Sequence, residues 1–417
     1  MFSRRLEWPA PRNRLAGLLR DLRARGAAIL DLTESNPTRV GLDYPRDAIV
    51  AALADPSALS YDPEPRGMPS AREAVAAYYG HRGLPVAPGR IFLTASTSES
   101  YALLFKMLAD PGDRIVVPRP SYPLFDYLAA LESVRVASYP ILQDAGWTID
   151  MEALERETTG GRAAGGWAAE TDAAPARAVI VVSPNNPTGS AMRQLERSRL
   201  EEICGRRGIS IISDEVFIDY LYDRDGGPAG DGRGAIVSML SPRTAVPGAQ
   251  PLAFTLGGLA KACGLPQMKL GWIVVDGPDE VAEEAVERLE LIADTYLSVG
   301  TPVQAAAPRL FELGEGIRRA IAARVSENRR ALAGMIDPET GCRLLAADGG
   351  WYAVVQVPAV LSEEDLVLRL LAEDLTLVHP GYFFDFPREA YLVLSLLPTP
   401  DRFHEGVRRT LARLVHP

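Results

Sequence analysis

Residues 259–272 read Leu259-Ala-Lys261-Ala-Cys-Gly-Leu-Pro-Gln-Met-Lys269-Leu-Gly-Trp272 and follow a short apolar run. They hold two of the three lysines in a chain of 417 residues, in which every other basic residue is an arginine. Lysine differs from arginine chiefly because it can lose its proton near neutral pH and attack a carbonyl carbon. So biased a composition points to a Schiff-base lysine with a phosphate-binding lysine beside it, and a pair of solvated lysines is the alternative.

Composition and charge exclude several classes of protein. The formal net charge is −10 and the arginines are scattered, which argues against nucleic-acid binding. No uninterrupted apolar run reaches the roughly 18 residues of a membrane span, and the N-terminus lacks the apolar core of a secretory signal. Cys204, Cys263 and Cys342 are too widely spaced for a disulfide framework or a metal knuckle. We expect a cytoplasmic protein with no metal site and no membrane or nucleic-acid partner.

Short apolar, β-branched runs recur along the chain with helical stretches between them. Their apolar character is continuous rather than alternating, which is typical of strands covered on both faces in a mainly parallel sheet. The pattern predicts an α/β three-layer sandwich over residues 46–290. The predicted strands are Ile91–Thr94, Arg114–Val117, Ala178–Ser183, Ile209–Ser213, Leu252–Leu256 and Gly271–Val275.

The remainder of the chain predicts a smaller α+β domain formed by residues 1–45 and 291–417. A long helical stretch, Val303–Met335, leads into strands at Gly350–Gln356 and Tyr391–Ser395. The short strand Leu30–Thr33 is expected to complete this domain. Two segments rich in glycine, Thr158–Pro175 and Asp223–Gly234, are predicted to be mobile surface loops.

Three further motifs follow predicted strands. Thr94–Glu99 opens a helix, where free backbone N–H groups favour a phosphate, although the same residues also form an ordinary helix cap. Ser183–Gly189 is rich in proline, asparagine and glycine and is otherwise a simple turn. Asp214 follows an apolar strand, the position at which open α/β sheets bind ligands. A helix N-cap is the alternative interpretation of Asp214.

As an ordered set, these motifs resemble the pyridoxal-phosphate aminotransferases of class I and II, from about Asp31 to the C-terminus. The resemblance implies the type I fold of pyridoxal-phosphate-dependent transferases, with Lys261 as the Schiff-base lysine. It implies that Asp214 contacts the pyridine nitrogen and that Asn186 contacts the phenolate oxygen. The other implied cofactor-binding residues are Ser96, Thr97 and Ser98 in the phosphate cradle, Lys269 on the phosphate, Tyr122 stacked on the ring, and Tyr61 reaching the partner subunit's phosphate.

The chain departs from the family pattern at two important positions. Phe217 stands where the family usually has a tyrosine, so the Schiff base loses a hydrogen bond that keeps its pKa low. Val393 stands where an arginine binds the substrate α-carboxylate. Either another group supplies that contact or the substrate lacks the carboxylate. The candidates are Arg39, Arg66, Arg119, Arg388 and His379.

The resemblance implies a homodimeric aminotransferase that moves an amino group between an amino acid and a 2-oxo acid. A lyase, decarboxylase or racemase on the same scaffold is the alternative, and a pyridoxal-phosphate-binding regulator is a remote one. No arginine lies near Ala293–Tyr296, so specificity for aspartate is disfavoured. The aromatic run Tyr382–Phe386 is either an apolar plug between domains or a wall of the substrate pocket.

Overall fold

The computed structural model describes residues 2–6, 13–144, 146–159, 174–222, 234–242 and 250–415. All of the predicted loop Asp223–Gly234 except Gly234, and most of Thr158–Pro175, lie outside these ranges. The helices are α1 Arg14–Ala24, α2 Arg46–Leu53, α3 Pro69–Gly80, α4 Thr97–Leu108, α5 Phe125–Leu131, α6 Met151–Thr158, α7 Gln194–Arg207, α8 Leu259–Ala262, α9 Asp279–Tyr296, α10 Thr301–Met335, α11 Glu363–Ala372 and α12 Pro400–Val415. The strands are β1 Leu30–Asp31, β2 Ile91–Thr94, β3 Arg114–Arg119, β4 Arg135–Leu142, β5 Thr148–Ile149, β6 Ala176–Val182, β7 Ser210–Asp214, β8 Ala253–Gly258, β9 Gly271–Asp276, β10 Arg343–Leu344, β11 Tyr352–Gln356, β12 Thr376–Leu377, β13 His379–Pro380 and β14 Tyr391–Ser395.

Within the described residues, eight strands form one sheet in the order β2-β9-β8-β7-β6-β3-β4-β5. The neighbours from β8 through β4 are parallel, and the pairs β2–β9, β8–β9 and β4–β5 are antiparallel. This confirms the predicted mainly parallel sheet, and each predicted strand lies within two residues of an observed one. The carboxyl ends of β3, β6 and β7 meet at one edge, where ligands bind in open α/β sheets.

Alternate residues of the central strands belong to two different apolar cores. Ile115 and Val117 of β3 pack into one core with Leu104 of α4 and Leu289 of α9. Val116 packs into the opposite core. The sheet is therefore covered by helices on both faces, which confirms the three-layer architecture and explains why the strand sequences are apolar without interruption.

A smaller antiparallel sheet has the order β10-β11-β14-β13 within the described chain. Strand β1 pairs in parallel with β12, so the N-terminal segment contacts the C-terminal part of the chain. It is shorter than the predicted Leu30–Thr33, because the Asp31 carboxylate accepts hydrogen bonds from the backbone N–H and hydroxyl of Thr33, at 2.9 and 2.6 Å. This Asx-type turn ends the strand. None of the described helices combines the length and apolar character that a membrane span requires.

Candidate active site

A cavity of about 440 Å³ lies at the carboxyl ends of β6 and β7 and reaches the small sheet. One wall contains Thr97, Ser98, Tyr122, Asn186, Asp214 and Lys261, and the other contains Tyr352, His379, Phe383 and Phe384. Six of the nine predicted site residues therefore line one cavity, although more than 160 positions separate the first from the last. The strand ends bring these distant residues together.

Lys261 lies in the short helix α8, immediately after β8. Its amine stands 4.5 Å from the ring centroid of Trp351 and 5.4 Å from that of Phe217, among aromatic faces rather than water. Desolvation lowers the pKa of Lys261 from 10.5 to about 8, and the negative charge of Asp214 opposes part of that shift. The neutral, nucleophilic amine is therefore far more abundant near physiological pH than in an ordinary lysine, although the protonated form still predominates.

Asp214 is the last residue of β7 and is buried. The Tyr101 hydroxyl donates to its Oδ2 at 2.9 Å, and the Val216 N–H donates to its Oδ1 at 3.2 Å. Burial raises the pKa of the Asp214 carboxyl, while these two hydrogen bonds and Lys261 lower it. A buried carboxylate with few partners is a strong acceptor for a cationic N–H group in the cavity.

The two neighbouring asparagines have different functions. The side-chain amide of Asn185 donates to Pro120 O at 3.1 Å and to the Thr188 hydroxyl at 2.9 Å, which fixes the loop after β6. The side chain of Asn186 lines the cavity instead, and its Oδ1 is buried without a protein partner. A buried amide with an unpaired polar atom is what a hydrogen-bonding ligand would satisfy.

The capping interpretation of the 94–99 motif is confirmed at Ser96 and Glu99. The Ser96 hydroxyl accepts from the Glu99 N–H at 3.2 Å, and the Glu99 carboxylate accepts from the Ala95 N–H at 2.6 Å, which is a capping box. Thr97 and Ser98 form the first turn of α4 and line the cavity. The free N–H groups of that turn are a suitable place for a phosphate.

Besides the capping residue Ser96, two predicted site residues lie outside the cavity lining of the single chain. Lys269 is exposed in a turn with a left-handed φ of 50°. Tyr61 is 81% exposed and lies against Tyr296 and Leu297 at the mouth of a separate shallow depression. Neither position by itself tests a contact with a cofactor or a second subunit.

The glycines around Lys261 make room for protein side chains. A Cβ atom on Gly257 would lie 2.5 Å from the Trp272 ring, and one on Gly264 would lie 2.7 Å from Ile317. Gly264 also has a positive φ of 64°. These glycines therefore allow helix and strand to pack closely around the lysine.

The second wall of the cavity is aromatic and uncharged. Phe384 and Phe386 are buried, so part of the 382–386 run is a plug, while Phe383 and Phe384 also line the cavity. Both interpretations of this run therefore hold. Burial lowers the pKa of His379 to about 4, so this imidazole is neutral near pH 7.

None of the candidate arginines is among the residues that line the described cavity. Arg66 donates to Glu290 at 2.7 Å, Arg119 donates to Asp126 at 2.6 Å, and Arg388 donates to the Tyr391 hydroxyl at 3.0 Å. Arg39 is exposed. Val393 is fully buried in the small sheet.

Sequence reasoning missed two aromatic residues that shape the site, Tyr101 and Trp351. Tyr101 lies four residues after Thr97, so both occupy one face of α4, and this spacing was a usable signal. Trp351 is fully buried and packs edge-on against Phe217 at 5.4 Å. No local pattern in the sequence joins residues 217 and 351.

A strand-end lysine with a lowered pKa, a buried carboxylate and an unpaired amide define an enzyme that works through a Schiff-base lysine. The family profile described as aminotransferase class I and II matches residues 28–403, and the chain belongs to that family.

Among its relatives, the glutamate-pyruvate aminotransferase AlaA of Haemophilus influenzae is 25% identical over 94% of this chain and 92% of its own. The alanine aminotransferase of Mycobacterium tuberculosis is 27% identical over 90% of this chain and 83% of its own. The S-alkyl-thiohydroximate lyase SUR1 of Arabidopsis thaliana is 31% identical, over 64% and 52%. The solved structure of an alanine aminotransferase from Pyrococcus furiosus has a TM-score of 0.82 at 21% identity, covering 100% of both chains, and has the same fold.

The chain is thus a pyridoxal-phosphate-dependent aminotransferase, as the sequence predicts. The residues present fit the cofactor on structural grounds. The Asn186 side-chain amide, which lines the cavity, and the depressed pKa of Lys261 are both features that a bound aldehyde with a polar ring would use.

Proposed function

We propose that the enzyme moves an amino group between an amino acid and a 2-oxo acid, with Lys261 as its catalytic residue. The desolvated amine of Lys261, which shares a cavity with the buried Asp214 carboxylate, is the observation that carries this proposal. The relatives named for alanine, glutamate and pyruvate support small amino acids and 2-oxo acids as substrates.

Lys261 has two functions in this proposal. Its neutral amine would hold the aldehyde of the cofactor covalently. When free of that link, the same amine would carry a proton to and from the substrate carbon. Pyridoxal phosphate, when bound, supplies the electron sink for the charge that develops at that carbon.

The other polar residues of the cavity orient the cofactor. Asp214 holds the proton on the pyridine nitrogen, and the Tyr101 hydroxyl keeps the carboxylate aligned. The Asn186 amide donates to the phenolate oxygen, and Tyr122 stacks on the ring. This leaves Phe217 without a polar function, since its ring packs against Trp351.

The phosphate site is proposed at the start of α4. The N–H groups and hydroxyls of Thr97 and Ser98 bind the phosphate oxygens, and Ser96 stabilises that turn as its cap. The exposed cation of Lys269 supplies the opposite charge.

We also infer a homodimer in which Tyr61 reaches the partner subunit's cofactor phosphate. Tyr61, Tyr296 and Leu297 are 81%, 53% and 37% exposed and adjoin one another, which is an apolar surface of the kind that a second copy covers. Sedimentation of the holoenzyme as a monomer would contradict this. A cytoplasmic location stays a prediction.

The domain division at residues 46–290 also belongs to the proposal. The pairing of β1 with β12 supports the assignment of residues 1–45 to the smaller domain. Limited proteolysis that releases a folded fragment with other boundaries would revise the division.

A lyase is the second candidate, because Val393 replaces a carboxylate ligand and SUR1 is a relative named as a lyase. A lyase would release ammonia and a 2-oxo acid from the donor without any acceptor. An aminotransferase keeps the nitrogen on its cofactor until a 2-oxo acid arrives.

The test is a single-turnover experiment with purified holoenzyme and a panel of amino acids, without an acceptor. We expect the visible absorbance of the cofactor to fall with at least one donor and to return when a 2-oxo acid is added. Lys261→Ala is the control and should show no such cycle. Ammonia released with no acceptor present would support the lyase, and no response to any donor would overturn the proposal.

A further inference from the structure

Strands β13 and β14 place His379 directly opposite Val393 in an antiparallel pair. Residues that face each other across two antiparallel strands project from the same face of the sheet, with Cβ atoms about 5 Å apart. Val393 is the position at which the resemblance places the family's carboxylate-binding arginine. His379 is thus the immediate cross-strand neighbour of the missing guanidinium.

His379 lines the cavity together with Lys261 and Asn186, whereas Val393 is fully buried and does not. The His379 ring lies between Phe383 and Phe384, with centroids 5.9 and 5.7 Å away. No hydrogen bond from a residue of the described chain engages its nitrogens. The imidazole therefore keeps both nitrogen positions for a ligand.

No arginine lines the described cavity. On the wall that contains Tyr352, Phe383 and Phe384, His379 is therefore the side chain with a nitrogen donor for an anion. The candidate arginines Arg66 and Arg119 are paired with carboxylates elsewhere. A carboxylate placed in such a cavity without a donor would lose its hydration at high cost.

We propose that His379 binds the α-carboxylate of the amino acid substrate, in place of the arginine that the family has at position 393. This inference rests on the proposed function and names the residue that determines specificity at the same site. The imidazole N–H donates to one carboxylate oxygen as a single contact, where a guanidinium would make two.

The charge around His379 makes this contact dependent on pH. The charged or titratable groups that face it are Asp31 from β1 and, across the cavity, Lys261, Asp214, Tyr122 and Tyr352. Burial lowers the pKa of the free imidazole to about 4, and a bound carboxylate favours the protonated ring. Binding of the carboxylate is therefore coupled to proton uptake and weakens as pH rises.

The test compares donors with and without the carboxylate, L-alanine and L-alaninamide, in the half-reaction of the holoenzyme. His379→Asn should raise KM for L-alanine about 10- to 100-fold, the usual cost of losing one hydrogen bond to a charged group. The maximal rate and the KM for L-alaninamide should change little. His379→Arg should restore the preference for L-alanine and remove the pH dependence of the ratio of the two KM values.

His404→Asn is the matched control, because His404 is exposed on α12 and should leave both donors unaffected. Covalent capture of pyridoxal phosphate with its visible absorbance reports that each variant is folded. If His379→Asn raises KM equally for both donors, or for neither, the assignment of His379 is wrong and the proposed function is unaffected. Failure of wild-type enzyme to react with any amino acid donor would overturn the proposed function and this inference together.

Discussion

The wall of the cavity built by the eight-stranded sheet carries charged and amide groups, whereas the wall built by the four-stranded sheet carries aromatic rings and one neutral imidazole. On the first wall, Lys261 and Asp214 bias each other's pKa inside a desolvated space. On the second wall, Val393 and Phe384 are buried and apolar around His379. Apart from Phe217, the residues of the first wall are those that the resemblance implies, whereas the second wall lacks the implied arginine.

This difference indicates that the wall built by the eight-stranded sheet serves the chemical step and that the wall built by the four-stranded sheet determines the substrate. The chemical step needs a neutral lysine and a buried carboxylate, and both are held by strand ends and the short α8. Recognition depends on side chains that approach from a different sheet. One wall can therefore change while the other is kept.

The largest expected effect is at Lys261. Lys261→Ala should lower kcat by at least about 10³-fold, because the variant loses both the covalent anchor and the proton carrier. Lys106→Ala is the control, because Lys106 does not line the cavity. Its amine donates to the Glu132 carboxylate at 2.5 Å. Steady-state turnover of both variants measures the effect. Substantial activity in Lys261→Ala would show that Lys261 is not the catalytic residue.

The second effect tests the function of the buried Asp214 carboxylate. Asp214→Asn should lower kcat by roughly 10²-fold or more, because a neutral amide no longer holds the proton on the pyridine nitrogen. Tyr101→Phe removes only the 2.9 Å hydrogen bond to Asp214 and should cost about tenfold. If Tyr101→Phe lowers kcat as much as Asp214→Asn does, the alignment of the carboxylate matters more than its charge.

The third effect concerns Phe217, where the charged wall itself departs from the family. Phe217→Tyr should add a hydrogen-bond donor at the cavity and lower the pKa of the Lys261 Schiff base by on the order of one unit. Spectrophotometric titration of the holoenzyme measures this shift. An unchanged or raised pKa would show that the new hydroxyl does not reach the cofactor.

The smallest effect is a pH dependence of cofactor capture. The pKa of Lys261 is lowered from 10.5 to about 8, so the neutral amine increases as pH rises through 8. The rate of covalent capture of pyridoxal phosphate by the cofactor-free protein should rise over that range and level off about one unit higher. Stopped-flow absorbance checks this, and a rate still rising up to pH 10 would mean that the amine is not desolvated.

The sequence predicted the charged wall well because each of its residues follows a strand of its own. Asp214 and Asn186 come just after apolar runs, and parallel strands bring such positions to one edge without further information. The rarity of lysine added an independent signal for Lys261.

The second wall was not predictable in the same way. His379 meets Val393 only through the register of two strands, and that register depends on packing between segments far apart in the chain. Likewise Trp351 reaches Lys261 from a turn 90 positions later. Gly257 and Gly264 beside Lys261 likewise have Trp272 and Ile317 as close neighbours.

The central claim is that the amine of Lys261 forms the covalent link to the cofactor. Borohydride reduction of the holoenzyme followed by peptide mass analysis tests it directly, because reduction makes the link permanent. The account predicts that the added mass lies on Lys261, with Lys106 and Lys269 unmodified. A reduced adduct on either of the other two lysines, or none at all in protein saturated with pyridoxal phosphate, would contradict it.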